Sequence, residues 1–149
     1  MIRELLLFPV LLPVAASCTS QQTATSETPA FYVVSEADVI SEEAPPHGGV
    51  GMSTAYRISD GAKDRTLEFR KRILHPGAAI GLHPITHDEV YYIVSGTGIV
   101  ASDGEEVELT TGDAAYLYDG AIVGIRQTGE YPLTLIIAYP LPGHPRLAR

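Results

Sequence analysis

From Phe31 onward the apolar residues fall in short runs that alternate with polar positions, and no stretch repeats at helical spacing. Period-two runs rich in Val, Ile, Tyr and Leu, closed by Gly, Pro and Asp, predict strands. They are expected at 31–34, 54–58, 66–75, 79–83, 89–94, 98–101, 106–109, 114–118, 121–127 and 132–139. Turn pairs stand between them: Asp60-Gly61, Pro76-Gly77, Ser95-Gly96, Asp103-Gly104, Thr111-Gly112, Asp119-Gly120 and Thr128-Gly129. The acidic, then Pro- and Gly-rich stretch 36–51 is expected to be a loop. Strands of this length and even spacing predict an all-β protein, an antiparallel jelly roll or closed barrel that leaves no long edge unpaired. Small barrels hold ligands inside.

Alternation also sorts the charges. In LEFRKRIL, Lys71 shares a face with Phe69 and Ile73, while Arg70 and Arg72 share the other. If the apolar face turns inward, Lys71 and His75 reach the interior, and Lys71 becomes a candidate for binding an anionic carboxylate. If it turns outward, two arginines take that place.

The first residues, MIRELLLFPVLLPVAASC, join one cation to an apolar run too short to span a bilayer, ending in small residues. This is signal-peptide anatomy, and the AASC sequence resembles a lipobox with Cys18 as the lipidated thiol. The expected plan is a signal peptide over 1–17, a flexible tether over 18–30, an arm with a strand and loop over 31–52, a barrel over 53–140 and a basic tail over 141–149. Export to the periplasm or cell surface with a lipid anchor in the membrane follows from that plan. Cys18 is the only cysteine, which excludes an internal disulfide. The chain of 149 residues leaves room for one core. Its formal charge of −8 argues against nucleic-acid binding.

Candidate chemistry concentrates between Gly81 and Gly98, where His83, His87 and Glu89 occupy alternate positions on an extended segment. Imidazole and carboxylate suit a divalent transition metal. Ile85, on the same face, donates nothing.

These residues resemble the cupin superfamily. Its first motif, a Gly, an HxH pair, a Glu and a second Gly at set intervals, is matched by Gly77, His83, Glu89 and Gly96, with Ile85 in place of the second His. Its second motif is matched by Gly112, Asp113 and Gly120, while Tyr118, Val123 and Gln127 stand at the Pro, His and Asn positions. The resemblance implies a double-stranded β-helix barrel with half of the ligand set replaced by aliphatic residues. It implies either no cofactor or a weakly bound divalent metal on His83, His87 and Glu89, and it leaves pairing of two barrels as an option.

Three functions are compatible with those residues. The barrel binds a small polar molecule, a sugar or an organic acid, without turnover; or His83, His87 and Glu89 hold a metal for an oxygenase or isomerase; or His83 is the base of a metal-free isomerase with Glu89 orienting it. Tyr91 shares the Glu89 face. Tyr116 and Tyr118 share another and are expected to form an aromatic wall of the ligand pocket.

Overall fold

The computed structural model describes residues 29–143, so the leader with Cys18, most of the tether and the tail from His144 lie outside the described residues. Ten strands follow one another: β1 (Ile40–Glu43), β2 (Ser53–Tyr56), β3 (Leu67–Leu74), β4 (Ala79–Pro84), β5 (Glu89–Ser95), β6 (Thr97–Ser102), β7 (Glu105–Thr110), β8 (Ala114–Leu117), β9 (Ile122–Thr128) and β10 (Leu133–Pro140). They pair antiparallel in two sheets, β1-β2-β3-β10-β5-β8 and β4-β9-β6-β7, which face each other as a jelly roll. The four motif glycines 77, 96, 112 and 120 all turn corners with φ between +81° and +94°, a region costly for any other residue.

Two expectations near the start of the chain are corrected. Residues 31–34 form no strand; Phe31 and Val33 remain about four-fifths exposed, with no partner strand beside them. The strand lies instead at 40–43, inside the stretch expected to be loop, where it pairs with β2. Acidic side chains read as loop because isolated carboxylates resist burial. Here each has a donor: Thr54 Oγ1 donates to Glu42 at 2.6 Å, and Arg57 and Arg72 both donate to Glu43.

The strand β3 settles the sidedness left open by its alternation. Glu68, Arg72 and Leu74 are buried and Arg70 is half-buried, while Leu67 and Phe69 face solvent. Lys71 lies outside with its Nζ 4.0 Å from the Tyr56 ring centroid and an ion pair to Glu36. Register explains the gradient along the interior. Leu74 sits opposite Leu133, Arg72 opposite Leu135 and Arg70 opposite Ile137, so one end of the jelly roll is sealed by aliphatic residues and the other is charged. The sealed end is closed from the second sheet by Ile125, Val100 and Leu109.

Candidate functional site

At the charged end lies a cavity of about 160 Å³ walled by Arg70 and Arg72 of β3, Glu89 and Tyr91 of β5, Ile137 and Tyr139 of β10, and His83 and Ile85 of the facing side. Liquid water occupies roughly 30 Å³ per molecule, so the space suits a ligand of a few heavy atoms, well below the roughly 300–1,000 Å³ pockets of drug-sized molecules.

The two arginines are held differently. Arg72, 2% exposed, donates from Nη1 to Ser53 Oγ at 2.6 Å and from Nη2 to Glu43 Oε1 at 2.8 Å. A guanidinium carries five N–H groups, and its Nε–H has no acceptor in the protein. Arg70 donates from Nε to Glu68 Oε1 at 3.0 Å and from Nη2 to the Tyr139 hydroxyl at 3.2 Å. Glu68 is buried but also meets Arg65. Both cavity cations thus keep N–H groups beyond those used in their structural pairing.

Glu89 is 5% exposed, and burial pushes its carboxyl up to about 7 against the opposing influence of Arg70. Burial foremost, then Glu89 beside it, raises the Tyr91 phenol, which stays protonated. His87 Nε2 lies 3.6 Å from Glu89 Oε2, and its ring stacks on Tyr139 with centroids 4.3 Å apart.

The segment between β1 and β2 crosses the cavity mouth as a strap. Pro46 and His47 join the cavity wall, and the His47 ring stacks on His83 with centroids 3.5 Å apart and planes 6° apart. Val50 and Ala79 bond each other's backbones, and Gly81 N donates to Pro46 O at 3.3 Å. The approach is so close that a Cβ on Gly81 would sit 2.0 Å from the His47 carbonyl oxygen. His47 adopts φ +60°, an unfavourable conformation for a residue with a side chain, tolerated where surrounding contacts fix it. Burial first, then the charges of His83, Arg70 and Arg72, lower its pKa and favour the neutral ring.

Of the residues picked from sequence, His83, His87, Glu89 and Tyr91 do line this cavity. Three do not. Lys71 points outward, because the apolar side of β3 faces away from the interior. Tyr116 and Tyr118 meet with tilted rings, centroids 5.1 Å apart, but are 51% and 64% exposed, so they form no pocket wall. Tyr116 is on the outer side of β8, next to Val90 in register. His83 and Glu89 are not hydrogen-bonded to each other; His83 Nδ1 lies 2.9 Å from Gly81 O, and Glu89 has His87 as its neighbour. The base-and-orienter pair expected from sequence is therefore not assembled.

Ile85 is 3% exposed and Val123 0%, both packed into the apolar core, with Val123 directly opposite His83 in register. Among the described residues no three His, Cys, Asp or Glu side chains converge as a metal site. Tight binding of a transition metal takes three or four protein ligands, and this donor set does not fit one. Gln127, at the second motif's Asn position, is structural: Gly77 N donates to its Oε1, and its Nε2 donates to three carbonyls between 128 and 131.

Alternation leaves open whether Lys71 or the arginine pair enters the interior, and His47 falls in the stretch 36–51 expected to be loop. The alternation in LEFRKRIL was the available signal for the arginines. For His47 the only hint was the glycine run after it.

Residues 71–139 match the cupin domain. An oxalate-binding protein of Thermotoga maritima is 30% identical over 92 residues, spanning 60% of this chain and 76% of that protein. The chain belongs to the cupin family. Among solved structures, a predicted oxalate decarboxylase from Thermotoga maritima aligns over 74% of this chain and 99% of its own, with a TM-score of 0.66 and 24% identity. An RmlC-like cupin from Shewanella frigidimarina aligns over 71% and 87%, with a TM-score of 0.56 and 22% identity. These last two are likenesses of fold.

Proposed function

We propose that the cavity binds a small carboxylate anion, such as a short dicarboxylate, through Arg70 and Arg72 and without a resident metal. The observation that carries this reading is the inward placement of two guanidinium groups with spare donors in a cavity of about 160 Å³. Planar N–H forks match carboxylate geometry and bind it better than ammonium does. The similarity to a protein named for oxalate binding supports the same ligand class. A sugar is the poorer fit, since the tyrosine wall expected to receive it faces away from the cavity.

Titration calorimetry of the purified protein with oxalate, malonate and glucose tests this. The carboxylates are expected to bind, glucose is not, and prior treatment with a chelator leaves the affinities within about twofold. Loss of oxalate binding on chelation, or a stronger response to glucose, would refute it. On the same reading the AASC leader delivers the module to the cell envelope. Replacing Cys18 with serine is then expected to move the protein from the membrane fraction to the soluble fraction, and an unchanged distribution would count against the anchor.

A further inference from the structure

We infer that Glu43 is a positioning residue for the anion site, contributed by a strand that lies outside the segment matching the family. The inference rests on the carboxylate reading for its ligand, but its structural core can be tested without one.

Arg72 emerges from β3 into an interior whose neighbours in register are aliphatic, Leu135 and beyond it Ile93. A long, fully buried guanidinium could adopt several rotamers there, and binding a planar anion requires one. Two acceptors select it. Ser53 Oγ takes Nη1, and that hydroxyl donates in turn to the Glu43 main-chain oxygen at 2.9 Å. Glu43 Oε1 takes Nη2. The carboxylate is fixed from the other side by Arg57, whose Nη2 donates to Oε1 at 3.0 Å and Oε2 at 2.8 Å. Burial alone would push the Glu43 carboxyl up, but the hydrogen bonds from Arg72 and Arg57 outweigh it and hold it below the usual value. Glu43 therefore stays an anion between two cations, one half-exposed and one sealed inside. Occupying the outer N–H groups of Arg72 in this way leaves the remaining donors for a guest, the arrangement by which a supporting shell fixes a recognition group.

Two effects of Glu43 have opposite sign, which makes the inference testable. As a bare negative charge near an anion site, it weakens binding, so its removal should tighten it. As the holder of Arg72, it strengthens binding, so its removal should loosen it. The experiment compares full-length wild type, Glu43→Gln and Glu43→Asp, labelled with ¹⁵N-arginine, with Arg72→Lys used to assign the Arg72 Nε–H resonance. Hydrogen exchange at that group is expected to accelerate at least about tenfold in Glu43→Gln, and oxalate affinity to fall about tenfold. Glu43→Asp, which keeps the charge but shortens the reach, is expected to lie between the two in both readouts. It also serves if Glu43→Gln fails to fold. Unchanged exchange in both variants overturns the inference whether or not any ligand binds. Tighter oxalate binding by Glu43→Gln overturns it as well. A wild type that binds no carboxylate, with exchange still responding to Glu43, refutes the proposed ligand and leaves the positioning role standing.

Discussion

Replacing Arg72 with methionine is expected to abolish carboxylate binding and to lower the unfolding free energy by about 2–3 kcal/mol. Methionine is apolar and flexible and fills much of the same space, so the loss comes chiefly from the broken charge pair rather than from a void. Breaking a buried pair by removing one partner costs roughly 3–5 kcal/mol, because the other charge is left uncompensated. The lower figure applies here because Glu43 is 27% exposed and keeps Arg57. Urea unfolding at neutral pH reads the stability, and calorimetry reads the binding. Lys71→Met is the control: its ammonium lies on the outer surface, and oxalate affinity should change less than about twofold. Equal losses from the two replacements would mean that the inward face of β3 has been misassigned.

The second large effect is on pH dependence. Folding raises the Glu89 carboxyl from an ordinary 4.5 to about 7, so the native state holds a proton there that the unfolded chain has lost. A carboxyl shifted in this direction contributes fully to stability below about 4.5. That contribution declines as pH climbs from about 4.5 to about 7, and above 7 it is gone. At about 1.4 kcal/mol per unit the decline amounts to about 3 kcal/mol. Glu89→Gln removes the titration, so the difference in unfolding free energy between variant and wild type should favour the variant increasingly from pH 5 to pH 8. Anion binding should follow the same sign. A neutral Glu89 no longer repels a carboxylate, so wild-type affinity is expected to rise as pH drops from 8 to 6 and to be nearly flat in Glu89→Gln. A stability difference between the two proteins that does not vary with pH would show that Glu89 ionises normally.

Much of the fold is written in the chain by local rules. The turn glycines and the period-two runs locate nine of the ten strands to within two residues, since each strand has to alternate and most corners adopt a positive φ. The exception, β1, is informative. Its Glu42 and Glu43 look unfit for a sheet until Thr54, Arg57 and Arg72 are brought beside them, and no short-range pattern conveys that. Site residues divide on the same principle. His83, His87, Glu89 and Tyr91 lie within nine residues of one another, on β4, on β5 and in the turn between them, so a short stretch of sequence shows them together. Arg72 and His47 depend on contacts across the fold, from Arg72 to β1 and from the strap to β4. The hydrophobic rule even misdirects over the first half of β3, where Leu67 and Phe69 lie on the solvent side and the interior face carries Glu68, Arg70 and Arg72.

The path of the first strand and the loop after it has a practical corollary for anyone dissecting this molecule. A fragment trimmed to begin at Ser53 would retain every strand of the family segment yet lose Glu43, Pro46 and His47 together, leaving a cation stranded in oil beneath an unroofed vestibule.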